Sequence, residues 1–148
     1  PPHKDFYQKS AAAYKVQLGE LDTRYRNTLT RCKKRILVSG GHKTFGYLAK
    51  RYGLEYHAAY GLSPDAEPAA RNLASLTKLL RGSGLRHIFY EELLKPRVAT
   101  TLARETGASL MQLNGGHNIS GEEFRAGRTF IELMDQNLEN LSTGMQCR

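Results

Sequence analysis

Cysteine is scarce in this 148-residue sequence, with Cys32 and Cys147 the only two. They stand far apart and form no Cys-x-x-Cys pair, which removes the signatures of a zinc ribbon and a dithiol redox centre. A bridge formed in an oxidising compartment and two separate thiols both stay open. Long hydrophobic runs are also missing: none approaches the roughly 20 apolar residues that span a bilayer. No leader pattern is visible. This says little about compartment, because a secreted protein is often produced without its removable leader. The chain begins Pro1-Pro2-His3 without an initiator methionine, so its start is expected to be processed or trimmed.

Several chemical signatures are absent as well. Gly40-Gly41-His42-Lys43-Thr44 suggests a phosphate loop, but that pattern requires glycines where Leu37 and His42 stand. A dinucleotide-binding Gly-x-Gly-x-x-Gly cannot be placed there either, because four residues separate Gly41 from Gly46. The chain has no G-x-S-x-G nucleophile elbow, and no Ser or Cys is patterned with any of the five histidines, so hydrolase chemistry is not expected.

What is present is an ordinary globular composition, 40% hydrophobic and 24% charged, in a length that suits one compact domain. The formal charge of +8 invites a nucleic-acid reading, yet the cations are scattered. Their one dense run, Arg31 to Arg35, falls at the expected end of a helix, where cations suit the negative pole of the dipole. No RNA-recognition, zinc-finger or basic-zipper signature accompanies it, and nucleic acid is not taken as a partner.

From about Asp5 to Lys34, the residues Tyr14, Leu18, Leu21, Tyr25, Leu29 and Cys32 recur at spacings of three and four, which predicts a long amphipathic helix. About 28 helical residues reach roughly 40 Å, more than a small domain's diameter, so this helix projects or has a partner. The remainder alternates strand and helix. Strands are expected at Ile36 to Ser39, Glu55 to Gly61, Arg86 to Glu91 and Ser109 to Leu113. Helices are expected from Phe45 to Tyr52 (stopped by Gly53), from near Pro68 to Gly82-Ser83-Gly84, and from after Pro96 to Gly107. A turn is expected at Leu62-Ser63-Pro64-Asp65. An S-x-x-E capping box, Ser120 with Glu123, opens one long closing helix through Phe124, Ile131, Met134, Leu138 and Leu141. Such alternation predicts an α/β fold: a four-stranded parallel sheet with helices on both faces, preceded by a long amphipathic helix.

Two loops carry nearly the same text, Ser39-Gly40-Gly41-His42-Lys43-Thr44-Phe45-Gly46 and Asn114-Gly115-Gly116-His117-Asn118-Ile119-Ser120-Gly121. Both follow strands, so both histidines belong at the carboxyl edge of the sheet, where open α/β sheets bind ligands. Imidazole is the commonest metal ligand, and His42 and His117 are the candidate metal ligands. Chance also fits, since strand-to-helix loops favour Gly and tolerate His. Two ligands fall short of the three or four of a zinc site. Glu91 and Glu92 end the third strand; as strand neighbours they are expected to point to opposite faces and not to share one site. One of them is expected to support a ligand histidine through its second ring nitrogen. His57 lies inside a strand and His87 at the opposite edge, so neither is taken as a ligand.

The words then become familiar. His42-Lys43-Thr44-Phe45-Gly46-Tyr47-Leu48-Ala49-Lys50-Arg51-Tyr52-Gly53-Leu54 resembles the segment H-x-x-F-G-Y-L-A-x-x-Y-G-L of metal-binding solute-binding proteins, the extracytoplasmic receptors of bacterial zinc and manganese ABC transporters. Similar stretches follow in order at 61–68, 88–92, 102–108 and 134–141, and the Tyr14 and Leu18–Asp22 region resembles the end of that family's linking helix. The resemblance implies two lobes joined by a long rigid helix, with metal held between them. This chain is similar to the linking helix (residues 1–34) plus the carboxyl-terminal lobe (residues 35–148), the amino-terminal lobe lying outside it.

By that resemblance, His42 matches a family histidine ligand, and His117 stands where the family usually has Asp or Glu. Gly41, where many relatives carry Ser or Thr, is a second departure. Imidazole in place of carboxylate favours Zn²⁺ over Mn²⁺. The resemblance further implies a periplasmic or otherwise extracytoplasmic protein, lipid-anchored in some full-length forms, that hands metal to a membrane permease and is not an enzyme. A reading of another class is an interaction module whose basic surface or projecting helix engages an anionic or protein partner. His3, ahead of the linking helix, is a poor substitute for the missing ligands.

Overall fold

The computed structural model describes residues 2–61, 68–92 and 96–148. The expected turn at Leu62 to Asp65 lies outside these. The first helix, α1 (Lys4–Leu29), is followed by β1 (Ile36–Ser39), α2 (Gly46–Tyr52), β2 (Glu55–Ala58) and α3 (Ala70–Ser83). Then come β3 (His87–Glu91), α4 (Arg97–Thr106), β4 (Ser109–Leu113), α5 (Gly121–Arg125) and α6 (Phe130–Gly144). The four strands are parallel in the order β2-β1-β3-β4, so the expected α/β architecture is borne out.

Strand periodicity divides the core in two. Leu37, Phe89 and Leu113 face a cluster with Leu21, Tyr25 and Leu29 of α1, Ala49 of α2, and Leu138 and Leu141 of α6. Their neighbours Val38 and Ile88 face the other side, against Leu76 and Leu80 of α3 and Ala99 and Leu102 of α4. Alternate residues thus bury on alternate faces, and each face is covered by helices. Gly53 and Gly107 close α2 and α4 in the left-handed conformation.

Two helix expectations are corrected. The first helix ends at Leu29, not Lys34, because the chain beyond it pairs with the carboxyl terminus. Cys32 and Cys147 form an antiparallel bridge and a disulfide, and Lys34 N–H donates to the Met145 carbonyl at 3.1 Å. Periodicity could not show this, since Cys32 continues the stripe by one more step of three. The closing helix is two helices. Gly127, at φ 71°, breaks it, and Thr129 with Glu132 forms a second capping box after that of Ser120 with Glu123. Backbone N–H bonds from Ser120 and Thr129, then the two hydroxyls, hold the Glu123 and Glu132 carboxyls below their ordinary range. With the folded values depressed, the boxes contribute fully above the ordinary carboxylate range and lose that contribution as pH falls.

The basic run serves the helix ends. Arg31 Nε donates to the Asn27 carbonyl at 2.7 Å, and the Arg35 guanidinium reaches the carbonyls of Leu29 and Tyr52, closing α1 and α2. Lys34 Nζ donates to Ser83 O at the end of α3. Cations at these carbonyls complement the negative helix poles.

α1 packs only through its last turns. Its buried residues are Leu21, Tyr25 and Leu29, and residues 2–17 are exposed. Tyr25 stacks on Tyr52 at 5.1 Å and donates its hydroxyl to Met134 O at 2.6 Å, joining α1 to α2 and α6. Asp22 adds a clamp, accepting from Arg51, Arg26 and Tyr52; the Arg51 guanidinium holds its carboxyl well below the usual range. Among the described residues no helix is long and apolar enough to cross a membrane.

The disulfide ties residues 115 apart in sequence. Closing so long a loop restricts the unfolded chain by about 4–5 kcal/mol on the chain-entropy model. Reduction, or Cys147→Ser, is therefore expected to lower the unfolding free energy by about 2–5 kcal/mol in urea melts; an unchanged midpoint contradicts this.

Candidate metal centre

The loop after β1 is fixed from three directions. Ser39 is fully buried, and its hydroxyl accepts from Gly41 N–H at 3.1 Å. Glu91 Oε1, at the end of β3, accepts from His42 N–H at 2.6 Å. Tyr56, from β2, donates its hydroxyl to the His42 carbonyl at 2.9 Å and accepts from Phe45 N–H at 3.4 Å. Burial pushes the Tyr56 phenol up to about 12, so it remains a donor across the neutral range. Gly41 leaves room for this placement of Glu91: a Cβ there would collide with the carboxylate where it now lies.

The loop after β4 is fixed with equal care. Glu92 Oε2 accepts from Gly115 N–H at 2.8 Å. Asn137 of α6 makes a reciprocal pair with Asn114: its Oδ1 accepts from the Asn114 N–H and its Nδ2 donates to the Asn114 carbonyl, both at 2.7 Å. Asn114 Oδ1 accepts from Gly116 N–H, closing an Asx turn. Gly116 takes φ 78°, a conformation that favours glycine, and a Cβ on Gly115 would lie 2.5 Å from the His117 ring. The two loops adjoin, since that same Cβ would lie 3.4 Å from Thr44.

His42 and His117 differ in their surroundings. The His42 side chain is 27% exposed, with Nδ1 3.6 Å from Glu91 Oε1 and its ring against Tyr60. Its Nε2 is shielded and has no hydrogen-bond partner among the described residues. His117 is 57% exposed, with Nδ1 3.9 Å from Glu92 Oε1, an oxygen that is itself buried and without a hydrogen-bond partner among the described residues. Each histidine therefore has one carboxylate beside Nδ1, at distances that are electrostatic contacts rather than hydrogen bonds.

The expectation that Glu91 and Glu92 serve opposite faces is corrected. Glu92 lies past the end of β3, free of the pleat, and both carboxylates reach the same edge, one into each loop. The remaining histidines stand elsewhere. His3 precedes α1, His57 pairs with Glu55 in β2 at 2.6 Å, and His87 begins β3 at the opposite edge. Among the described residues no group of three or more His, Cys, Asp or Glu could hold a metal ion.

Tyr56, Tyr60 and Asn137 were not singled out by sequence reasoning. Asn137 did carry a signal: it is a polar residue on the inward stripe of Met134, Leu138 and Leu141, where only a fully bonded amide can be buried. Nothing in the pattern of β2 marked Tyr56 or Tyr60 as reaching the neighbouring loop.

Fold and edge together define an α/β protein with both histidine loops at the carboxyl ends of parallel strands. Residues 1–144 match the family model of the zinc-uptake complex component A, periplasmic (ZnuA). The chain belongs to this family. It is 39% identical over 145 residues to the high-affinity zinc uptake system protein ZnuA of Bacillus subtilis, covering 98% of this chain and 45% of that protein. It is 38% identical over 141 residues to the zinc-binding lipoprotein AdcA of Streptococcus pneumoniae, covering 95% of this chain and 28% of the relative. Among solved structures, the Zn(II)-bound ZnuA-like domain of Streptococcus pneumoniae AdcA superposes with a TM-score of 0.78 at 37% identity, over 98% of this chain and 54% of that one. A mutant of the laminin-binding adhesin Lmb of Streptococcus agalactiae gives 0.86 at 30% identity, over 98% and 53%. The chain thus spans less than half the length of these curated relatives.

Asn137→Ala removes both bonds to Asn114. It is expected to lower stability by about 1–3 kcal/mol and to speed amide exchange at Asn114 relative to Leu37 in the central strand; unchanged relative rates contradict the role given to Asn137.

Proposed function

We propose that this chain is the carboxyl-terminal lobe, with linking helix, of an extracytoplasmic receptor that binds Zn²⁺ as cargo for an ABC-type membrane permease. His42 and His117 supply two imidazole ligands, and an amino-terminal lobe outside this sequence supplies the rest. The observation that carries the reading is His42 Nε2, a nitrogen at the edge where the two loops adjoin that has no hydrogen-bond partner among the described residues. An unpartnered polar atom costs about 1–3 kcal/mol, and a cation accepting its lone pair offsets that penalty. The Glu91 carboxylate beside Nδ1 favours the neutral tautomer with its proton on Nδ1, which leaves Nε2 for the metal.

Glu91 and Glu92 act behind the ligands, Glu91 toward His42 and Glu92 toward His117. Two imidazoles favour Zn²⁺ over Mn²⁺, which prefers oxygen donors. The reading assigns no enzymatic reaction: cargo is captured and released. Location outside the cytoplasm is supported by the disulfide and by relatives described as periplasmic or as lipoproteins. Lipid anchoring is part of the proposal for the full-length receptor.

Zinc calorimetry of this chain is expected to give weak binding that His42→Ala and His117→Ala each reduce about 10-fold or more, as loss of a ligand to zinc implies. If both variants bind like the parent, the assignment is wrong. Because a ligating imidazole must be neutral, zinc affinity is expected to fall on acidification; zinc binding that is unchanged between pH 7.5 and 5.5 contradicts imidazole ligation.

A further inference from the structure

The His42 ring has two degrees of freedom that a ligand must lose: which edge faces the carboxylate, and the plane in which the ring lies. Glu91 addresses the first. At 3.6 Å from Nδ1 it is too distant for a hydrogen bond, and the same oxygen is already bonded to the His42 backbone N–H. It biases the edge but does not fix the plane, and the terminal torsion of histidine is intrinsically broad.

The second group is Tyr60, which stands just beyond β2. The strand pairing continues past the end of β2: Ala59 N–H donates to Ser39 O at 2.8 Å and Tyr60 N–H to Gly41 O at 3.1 Å. Lys43 N–H donates back to Gly61 O at 3.3 Å. Tyr60 is therefore tied by its own N–H to one flank of His42, and its neighbour Gly61 to the other. Its half-buried ring lies 5.0 Å from the imidazole, centroid to centroid, at an interplanar angle of 33°.

Resting on the reading of His42 as a ligand, we propose that Tyr60 is a positioning residue that sets the plane of the His42 imidazole for metal binding. Coordination withdraws electron density from the imidazole, and an electron-poor ring is attracted more strongly to the electron-rich phenol face. The contact therefore strengthens when metal binds, and it contributes to affinity as well as to order. Aromatic pairs of this kind correspond to a change of about 3- to 10-fold in a binding constant.

The test uses the full chain, Zn²⁺ alone as the probe, competition with a chromophoric chelator, and proton NMR of the His42 ring. Tyr60→Leu is expected to weaken zinc binding about 3- to 10-fold, while Tyr60→Phe, which keeps the ring, stays within about twofold of the parent. In the parent, the His42 ring protons are expected upfield of those of exposed His3, and this shift is retained with Phe and lost with Leu. Equal zinc binding by Tyr60→Leu and the parent overturns the proposal, as does an equal loss in the Leu and Phe variants. Absence of the upfield shift in the parent also overturns it, independently of any variant's folding. His42→Ala separates the two levels: if it binds zinc like the parent, the ligand assignment itself fails, whereas loss with His42→Ala but not with Tyr60→Leu sinks only the role of Tyr60.

Discussion

Two neighbouring carboxylates at the end of β3 hold both histidine loops to one strand, and the rest of the site is arranged around them. Glu91 takes the backbone N–H of His42 and Glu92 that of Gly115, although both side chains are almost wholly buried. Burying a carboxylate is expensive unless donors meet it. Here one donor to each comes from the backbone of a loop that bears a histidine, so the penalty is offset only when the loops are in place. β3 lies between β1 and β4, which makes it the one strand from which both loops can be reached. The same pair leaves negative charge beside both imidazoles, and a cation bound by those rings would gain from it.

This dependence explains why other parts of the fold converge on loop backbone. Tyr56 closes the first loop from β2, and Asn137 closes the second from α6. α1 contributes at longer range: its Asp22 and Tyr25 bind α2 and α6, the helices that follow the first loop and back the second. The disulfide then pins the end of that helix region to the carboxyl terminus. Held this way, the two histidine loops have little freedom, which suits the rigid binding edge proposed for them.

Most of the architecture was legible because it rests on local periodicity and punctuation. β1 and β4 fall where the short apolar runs of Ile36–Ser39 and Ser109–Leu113 put them, and Gly53, Gly107 and the Ser120 capping box end or begin helices as their chemistry requires. What was not legible depends on distant partners. Leu29 ends α1 because the chain beyond it pairs with the carboxyl terminus, more than a hundred residues away, which no window of helical spacing can register. Of the site, the two Gly-Gly-His loops were legible from repeated text and strand order. The carboxylates' shared edge was not, because Glu92 lies one residue beyond the strand whose pleat was assumed to govern it.

The central claim is that His42 and His117, alone among five histidines, form half of a zinc site. Long-range proton–nitrogen NMR of the imidazoles, recorded as substoichiometric Zn²⁺ is added, addresses it most directly. The account predicts that the ring nitrogens of His42 and His117 shift together while those of His3, His57 and His87 stay in place. Shifts confined to the other three, or no shift at His42, would contradict it.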